Sequence, residues 1–429
     1  MDDFMNGAVV EDAPEEIDLD ALLGLDEGEL EANVGNTVGN STVGKHKSGN
    51  RIFKVMTKDD EEVSEPHIKI PTSKLVEVLA VSSLISSAGE NSFEGKVVCI
   101  SVEDGVARFL LSDNKRNIEQ RVDLLNKENQ FKGFIAFSSS LLNKMSKVCT
   151  SVTTIIKRTE KKDDKEVDKY VLKIRGGEVV LDNINMDKNK FDKTIDCKSG
   201  KDYKKLEIIE SIKRLYSYAS TSIRSGKSID FMGDYIQTSP INGLAKIKTE
   251  KTYPTFRLSL TDTKILSVLS YKDSSDSIRI SKDGKEFVGE TYKFKTESYS
   301  ATKPTYDSVV ERMFDGESVE IDANHLKKLV ELSCGLDTSV GSLKFNYTDD
   351  GLVSCRLLTK REDSDLVIQG NPNTHVVKLD NPIELYSFNL KGALTIFNIE
   401  DSLNMRVSPD GISLESGDIR VALLGKSNK

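Results

Sequence analysis

Leu385-Tyr386-Ser387-Phe388-Asn389-Leu390-Lys391-Gly392-Ala393-Leu394 and, a little further on, Leu403-Asn404-Met405-Arg406-Val407-Ser408-Pro409-Asp410-Gly411-Ile412-Ser413-Leu414 decide the reading of the fold. The first four residues are a short apolar run that reads as a strand. Asn389 is a candidate helix cap, with Leu390, Ala393, Leu394 and Phe397 at helical spacing behind it. Residues 403–407 and 412–414 alternate in polarity around Pro-Asp-Gly, in which Pro presets φ and Gly allows the reversal, so they read as a hairpin. The unit is strand, helix, hairpin.

Working outward, the same order recurs in degraded form, six times in all. Pro71-Thr72-Ser73 opens a helix with Leu75, Val76, Leu79, Leu84 and Ile85 as core candidates, and a hairpin follows at Glu103-Asp104-Gly105. Ser138-Ser139-Ser140 caps a second helix, with Leu141, Leu142, Met145, Val148 and Cys149 on one face. The charged insertion 160–169 in its hairpin reads as a loop. The third helix, 204–220, buries Ile208, Ile209, Ile212, Leu215 and Tyr216, and its hairpin turns at Met232-Gly233-Asp234. The fourth, capped by Thr261 or Asp262, carries Ile265, Leu266, Val268 and Leu269 and is followed by a turn at Lys282-Asp283-Gly284. The fifth, capped by Asp322, carries Leu326, Leu329 and Val330, with a turn at Asp349-Asp350-Gly351.

Six units at roughly 60 residues each make an internal repeat. Polar stretches at 182–203 and 298–310 group them in pairs, which predicts an α+β fold of three similar domains, 67–196, 197–306 and 307–429. Each has two helices on antiparallel sheet. Residues 1–66 read as a disordered acidic arm. Residues 1–31 hold 12 acids and neither Lys nor Arg, and Lys45 and Lys47 follow. Against a net charge of −9 for all 429 residues, this leaves the body 51–429 close to neutral. Within the arm, acids alternate with leucines around Leu19, Leu22 and Leu23. They read either as incidental to a solvated tail or as a short motif for an apolar groove.

Catalytic patterns are missing from the sequence. No phosphate-binding glycine loop runs into Lys-Ser/Thr, and His46, His67, His325 and His375 lack metal spacing. Asp163-Asp164 and Asp349-Asp350 fall in predicted turns, whereas a two-metal nuclease needs carboxylates converging from several strands. No enzyme, cofactor or metal is expected. Cys99, Cys149, Cys197, Cys334 and Cys355 are scattered, which predicts reduced thiols and a cytoplasmic protein. No signal peptide or long apolar run is present, so no membrane partner is expected. The positive signal is Lys144, Lys147, Lys213, Arg214, Lys264, Lys328 and Lys391, on helix faces away from the core. Together such a surface would attract phosphates without reading bases. Two classes compete: a DNA-binding platform, and a structural protein of a virus particle or other assembly built from repeated β-rich domains; helices in every unit and the basic helix faces favour the first.

The pattern resembles the bacterial DNA polymerase III beta subunit family, the sliding clamps, over residues 67–429. Besides the architecture, the resemblance is carried by degenerate matches to that family's Thr-Asp-x-x-Arg-Leu-like turn. They are Leu110-Leu111-Ser112-Asp113-Asn114-Lys115-Arg116, the stretch 236–244, and Leu357-Leu358-Thr359-Lys360-Arg361. The acidic arm and the end Leu424-Gly425-Lys426-Ser427-Asn428-Lys429 depart from the family, as a divergent, bacteriophage-type member would. The resemblance implies a head-to-tail homodimer ring around double-stranded DNA, with DNA polymerase and a clamp loader as partners. It also implies a partner-peptide pocket near Thr238, Gly243, Leu244, Leu423 and Leu424.

Overall fold

In the computed structural model the stretch read first forms a strand at Ile383–Tyr386, a helix at Ser387–Leu394, and a hairpin of Ser402–Ser408 with Gly411–Ser416. The helix starts two residues before Asn389. Its N-cap is Tyr386, which makes no side-chain capping hydrogen bond, so Asn389 is not the cap. Gly411 serves close approach: a Cβ there would sit 2.1 Å from the Leu423 carbonyl oxygen of the next strand.

The chain divides into two units, 1–50 and 51–429. The structure describes residues 63–426, apart from 88–92, 163–164, 192–194, 221–226, 241, 298, 302–306, 337–340, 359–362, 399 and 401. The arm, with Leu19, Leu22 and Leu23, lies outside the described residues, as do Thr359, Lys360 and Arg361 of the third turn match.

Six helices follow the six predicted ones: α1 Thr72–Ser87, α2 Ser139–Ser146, α3 Lys205–Ser220, α4 Leu260–Tyr271, α5 Ala323–Leu336 and α6 Ser387–Leu394. Ser138 caps α2 by accepting the Leu141 N–H at 3.4 Å. Asp322 receives the N–H groups of Asn324 and His325 at the start of α5. The cap of α4 is Ser259, which accepts the Asp262 N–H at 3.1 Å; Thr261 and Asp262 already lie inside the helix. Val76 and Val148 are exposed, and α1 buries Val78 and Val81 instead. The helices pack in single file, α2–α1–α4–α3–α6–α5.

Four antiparallel sheets accompany them. A four-stranded sheet runs His67–Pro71, Val152–Lys162, Lys165–Ile174, Gly177–Leu181. An eight-stranded sheet runs Gly133–Ser138, Val97–Glu103, Val106–Ser112, Arg116–Asp123, Tyr292–Thr296, Glu286–Val288, Ser277–Ile280, Lys201–Lys204. A third joins Ser228–Thr238 and Gly243–Ser259 to Ile419–Leu424, Gly411–Ser416, Ser402–Ser408, Val319–Asp322 and Gly370–Asn371. The last runs Asp363–Val367, Val353–Leu358, Ser342–Tyr347, Ile383–Tyr386.

The run Ser228–Thr238 doubles back on itself. Thr238 Oγ1 donates to the Ser228 carbonyl at 2.8 Å, whereas the ends of a straight strand of that length would lie about 30 Å apart. The reversal falls at Gly233, with φ +63°, so the turn expected at 232–234 is present. The first half of the run pairs with 256–259 and the second with 245–248, which gives this sheet the strand order of the eight-stranded one.

Three segments differ from the sequence reading. The insertion 160–169 is not a loop: the ladder continues to Lys162 opposite Lys165, supported by cross-strand pairs Lys157–Asp168 at 2.8 Å and Lys169–Glu160. The polar stretch 182–203 holds a short helix, Lys188–Phe191, whose Phe191 packs on Val97, Cys99, Leu110 and Ala136. It also contributes the edge strand Lys201–Lys204. A helix at Asp307–Arg312, where a linker was read, seats Val310 in the interior.

Candidate nucleic-acid interface and partner groove

The two long sheets each cross a seam between repeats. At the first seam Gln120, Glu119, Ile118, Asn117 and Arg116 pair with Tyr292 through Thr296. At the second, Ile247 back to Gly243 pair with Ile419 through Leu423. The registers are equivalent. Tyr292 and Ile419 each close a tight turn. The residues facing them, Gln120 and Ile247, each pair on their other side with a residue eleven positions earlier, Phe109 and Ile236. Helices cross the same seams, α1 on α4 and α3 on α6. The first seam also holds a buried ion cluster: the Arg116 guanidinium, 7% exposed, donates to Asp262 at 2.5 Å and to Asp113 at 2.8 Å. Burial opposes its charge, but the two carboxylates outweigh that and hold the guanidinium above its ordinary value.

On the helix layer, Lys144, Lys147, Lys213, Lys328 and Lys391 are exposed, and Arg214 and Lys264 are half-buried. Lys264 lies 5.3 Å from the centre of the Tyr216 ring. The other six hold no carboxylate among the described residues, and α1 adds only Lys74, paired with Glu77 at 3.0 Å. The sheet arginines behave differently: Arg108, Arg121, Arg158, Arg257, Arg279, Arg406 and Arg420 all hold carboxylates. The helix layer thus carries six cations with no carboxylate partner among the described residues, whereas these sheet arginines are neutralised where they stand. Arg214 borders a cavity of about 710 Å³ with Leu206, Glu210, Lys248 and Asp418. The sequence reading did not single out the exposed apolar side chains of these helices, Leu206, Leu332 and Phe388.

Of the implied pocket positions, Thr238, Gly243, Leu244 and Leu423 are buried. Leu244 is packed under Val310, Met313 and Ala422, with Phe314 and Leu424 beside them. Leu424 is half-buried and borders an open groove of about 940 Å³ with Val309, Val377, Ile383, Lys344 and Lys426. Lys426 sits 4.0 Å from the centre of the Tyr386 ring and 2.5 Å from Glu384. Burial works against the Glu384 charge, but hydrogen bonds from Lys426 and Ser342 hold its carboxyl below the ordinary value. The groove mixes apolar residues with three lysines, Lys344, Lys378 and Lys426, and three acids, Asp380, Glu384 and Asp410. The loop 377–382 that helps build it carries no repeat signal, which is why the sequence did not reveal it.

Among the described residues no three His, Cys, Asp or Glu side chains gather to hold a metal, and no helix is long and apolar enough to cross a membrane. Burial pushes the Cys99 and Cys355 thiols up to about 12.

No protein-family sequence model and no curated protein sequence matches the chain. Solved structures do. The DNA polymerase III subunit beta of Pseudomonas aeruginosa superposes with a TM-score of 0.66 at 14% identity, over 84% of this chain and 99% of that one. The sliding clamp of Caulobacter crescentus gives 0.67 at 11%, over 84% and 99%. The DNA polymerase III beta subunit of Thermotoga maritima gives 0.64 at 12%, over 85% and 100%. The chain has the sliding-clamp fold, in a sequence far diverged from these.

Proposed function

We propose that the chain is a DNA sliding clamp, a processivity factor that encircles duplex DNA without reading sequence and tethers a polymerase. The observation that carries this is the helix layer: six helices in single file, on which Lys144, Lys147, Lys213, Arg214, Lys328 and Lys391 have no carboxylate partner among the described residues, borne on sheets that run through two equivalent seams. Phosphate contacts from such a layer are sequence-independent and screened by salt, which is what a moving ring requires. The three domains are 67–196, 197–306 and 307–429, and Lys144, Lys147, Lys213, Arg214, Lys264, Lys328 and Lys391 face the duplex. The solved structures it resembles bear the titles of DNA polymerase III beta subunits and sliding clamps. A closed ring of two copies would cover two of the sheet edges that have no outer partner among the described residues, Gly177–Leu181 and Asp363–Val367. The groove at Leu424 takes the polymerase's peptide, and a clamp loader opens the ring.

The test is retention. A clamp stays on closed circular duplex after a salt wash and leaves when the circle is cut. Equal loss from circle and linear DNA overturns the reading, and assembly into large particles without DNA retention favours a structural protein.

A further inference from the structure

The two internal seams share a register but are fastened on opposite faces. On the helix face the first seam is locked. Arg116 reaches from its strand to Asp262 of α4, on the other side of the seam, at 2.5 Å, and both side chains are buried. Asp273, 4% exposed just beyond α4, accepts the N–H groups of Glu290 at 3.1 Å and Thr291 at 2.8 Å, and the Thr291 hydroxyl at 2.8 Å. That holds the turn whose Thr291 carbonyl takes a further bond across the seam, from the Arg121 N–H.

On the same face the second seam is open. Counted from the paired residues Gln120–Tyr292 and Ile247–Ile419, the place of Arg116 falls to Gly243. A Cβ there would lie 2.3 Å from the Tyr218 hydroxyl of α3, so the position has no room for a locking side chain. The matching turn, Gly417-Asp418, is exposed, and no side chain among the described residues holds its N–H groups. Its Asp418 carbonyl takes the equivalent bond across the seam, from the Lys248 N–H. Between this turn and the first half of α3 lies the cavity of about 710 Å³, lined by the paired Ile247 and Ile419 and by Glu210 and Arg214.

On the far face the second seam is fastened. Successive strand residues point to opposite sides, so Leu244 and Lys246 face away from α3. Leu244 packs under Val310 and Met313, and the Lys246 ammonium pairs with Asp307 at 3.3 Å and Glu311 at 2.5 Å. The helix Asp307–Arg312 thus pins this seam from behind.

We infer that the second seam is a hinge and the first is not. The helix Asp307–Arg312 is its pivot, and the cavity is the space into which α3 and the turn Ser416–Ile419 close. Bending there changes the spacing between Arg214 on α3 and Lys391 on α6, cations on either side of the seam, while α1 and α4 keep theirs. The hinge belongs to the single chain and does not depend on a ring.

Two nitroxide pairs in a full-length C149S/C334S chain, diluted with unlabelled chain, test this by double electron–electron resonance. E210C/D418C spans the cavity. E77C/E290C takes the corresponding helix position and turn at the first seam. The E210C/D418C distance distribution should be about twice as broad as the other, as a hinge sampling open and closed arrangements requires. Equal widths, or a broader distribution at the first seam, overturn the hinge. In a second arm, Asp262→Asn leaves Arg116 its Asp113 but weakens the bond across the first seam. The E77C/E290C distribution should then broaden, and an unchanged width overturns the Arg116 lock.

Discussion

At the scale of single residues, Arg214 shows what the sequence could and could not convey. Its place on the outer face of a helix follows from the spacing of Ile208, Ile212 and Leu215. That no carboxylate among the described residues reaches it depends on residues far away in the chain, which spacing does not encode. Replacing Lys147 and Arg214 together by Glu should reduce loading on DNA and lower the salt slope of binding by about two, since each phosphate contact contributes a slope near 0.9. The melting temperature should stay put, and unchanged loading would move these residues away from the duplex. Glu119 offers a second test. Burial opposes its charge, but hydrogen bonds from Arg108 and Arg121 outweigh it, so its carboxyl titrates below the ordinary 4.5. A depressed folded value means the stabilisation is complete above pH 4.5 and lost as pH falls through the folded value. Thermal melts of Glu119→Gln against the native chain should therefore differ most near neutrality and converge on acidification. A gap that widens in acid contradicts the assignment.

At the scale of elements, helices and hairpins were legible because their apolar spacing and turn chemistry are local. The charged ribbon at 157–170 was misread because its stability comes from pairs such as Lys157–Asp168, contributed by opposite strands. The helix Asp307–Arg312 was missed for the same kind of reason: six residues with one buried side chain give no periodicity, and its anchor is the Leu244 cluster. That cluster changes how the partner site is probed. Leu244 is 1% exposed, so Leu244→Ala should cost about 2–5 kcal/mol in a urea melt by opening a cavity. Leu424, half-buried at the groove, is the cleaner probe. Leu424→Asp should lose binding of a polymerase-tail peptide by fluorescence anisotropy while the melt barely moves, and retained binding would take the groove out of the reading.

At the scale of the whole molecule, six repeats predicted the architecture, and their degeneracy hid how the repeats join. The polar stretch 182–203 looked like a passive link, yet it supplies the strand that finishes the eight-stranded sheet. The Arg116 cluster ties that sheet to α4, and removing one member leaves buried charge unmatched. Arg116→Ala should destabilise the chain by about 3–5 kcal/mol. A loss under 1 kcal/mol by denaturant titration would mean that water reaches the cluster.

The seams differ in what happens after they break. Each internal seam is spanned by the polypeptide itself, so its two faces stay leashed and meet again at an effective concentration in the millimolar range. Rupture there is repaired within the molecule, whatever the dilution. In the proposed ring of two copies, a joint between the edges Gly177–Leu181 and Asp363–Val367 would have no such leash. Once both have let go, their return depends on how many other chains are in solution. In that ring one fold would combine joints that heal by themselves with a joint whose healing is set by the abundance of the chain.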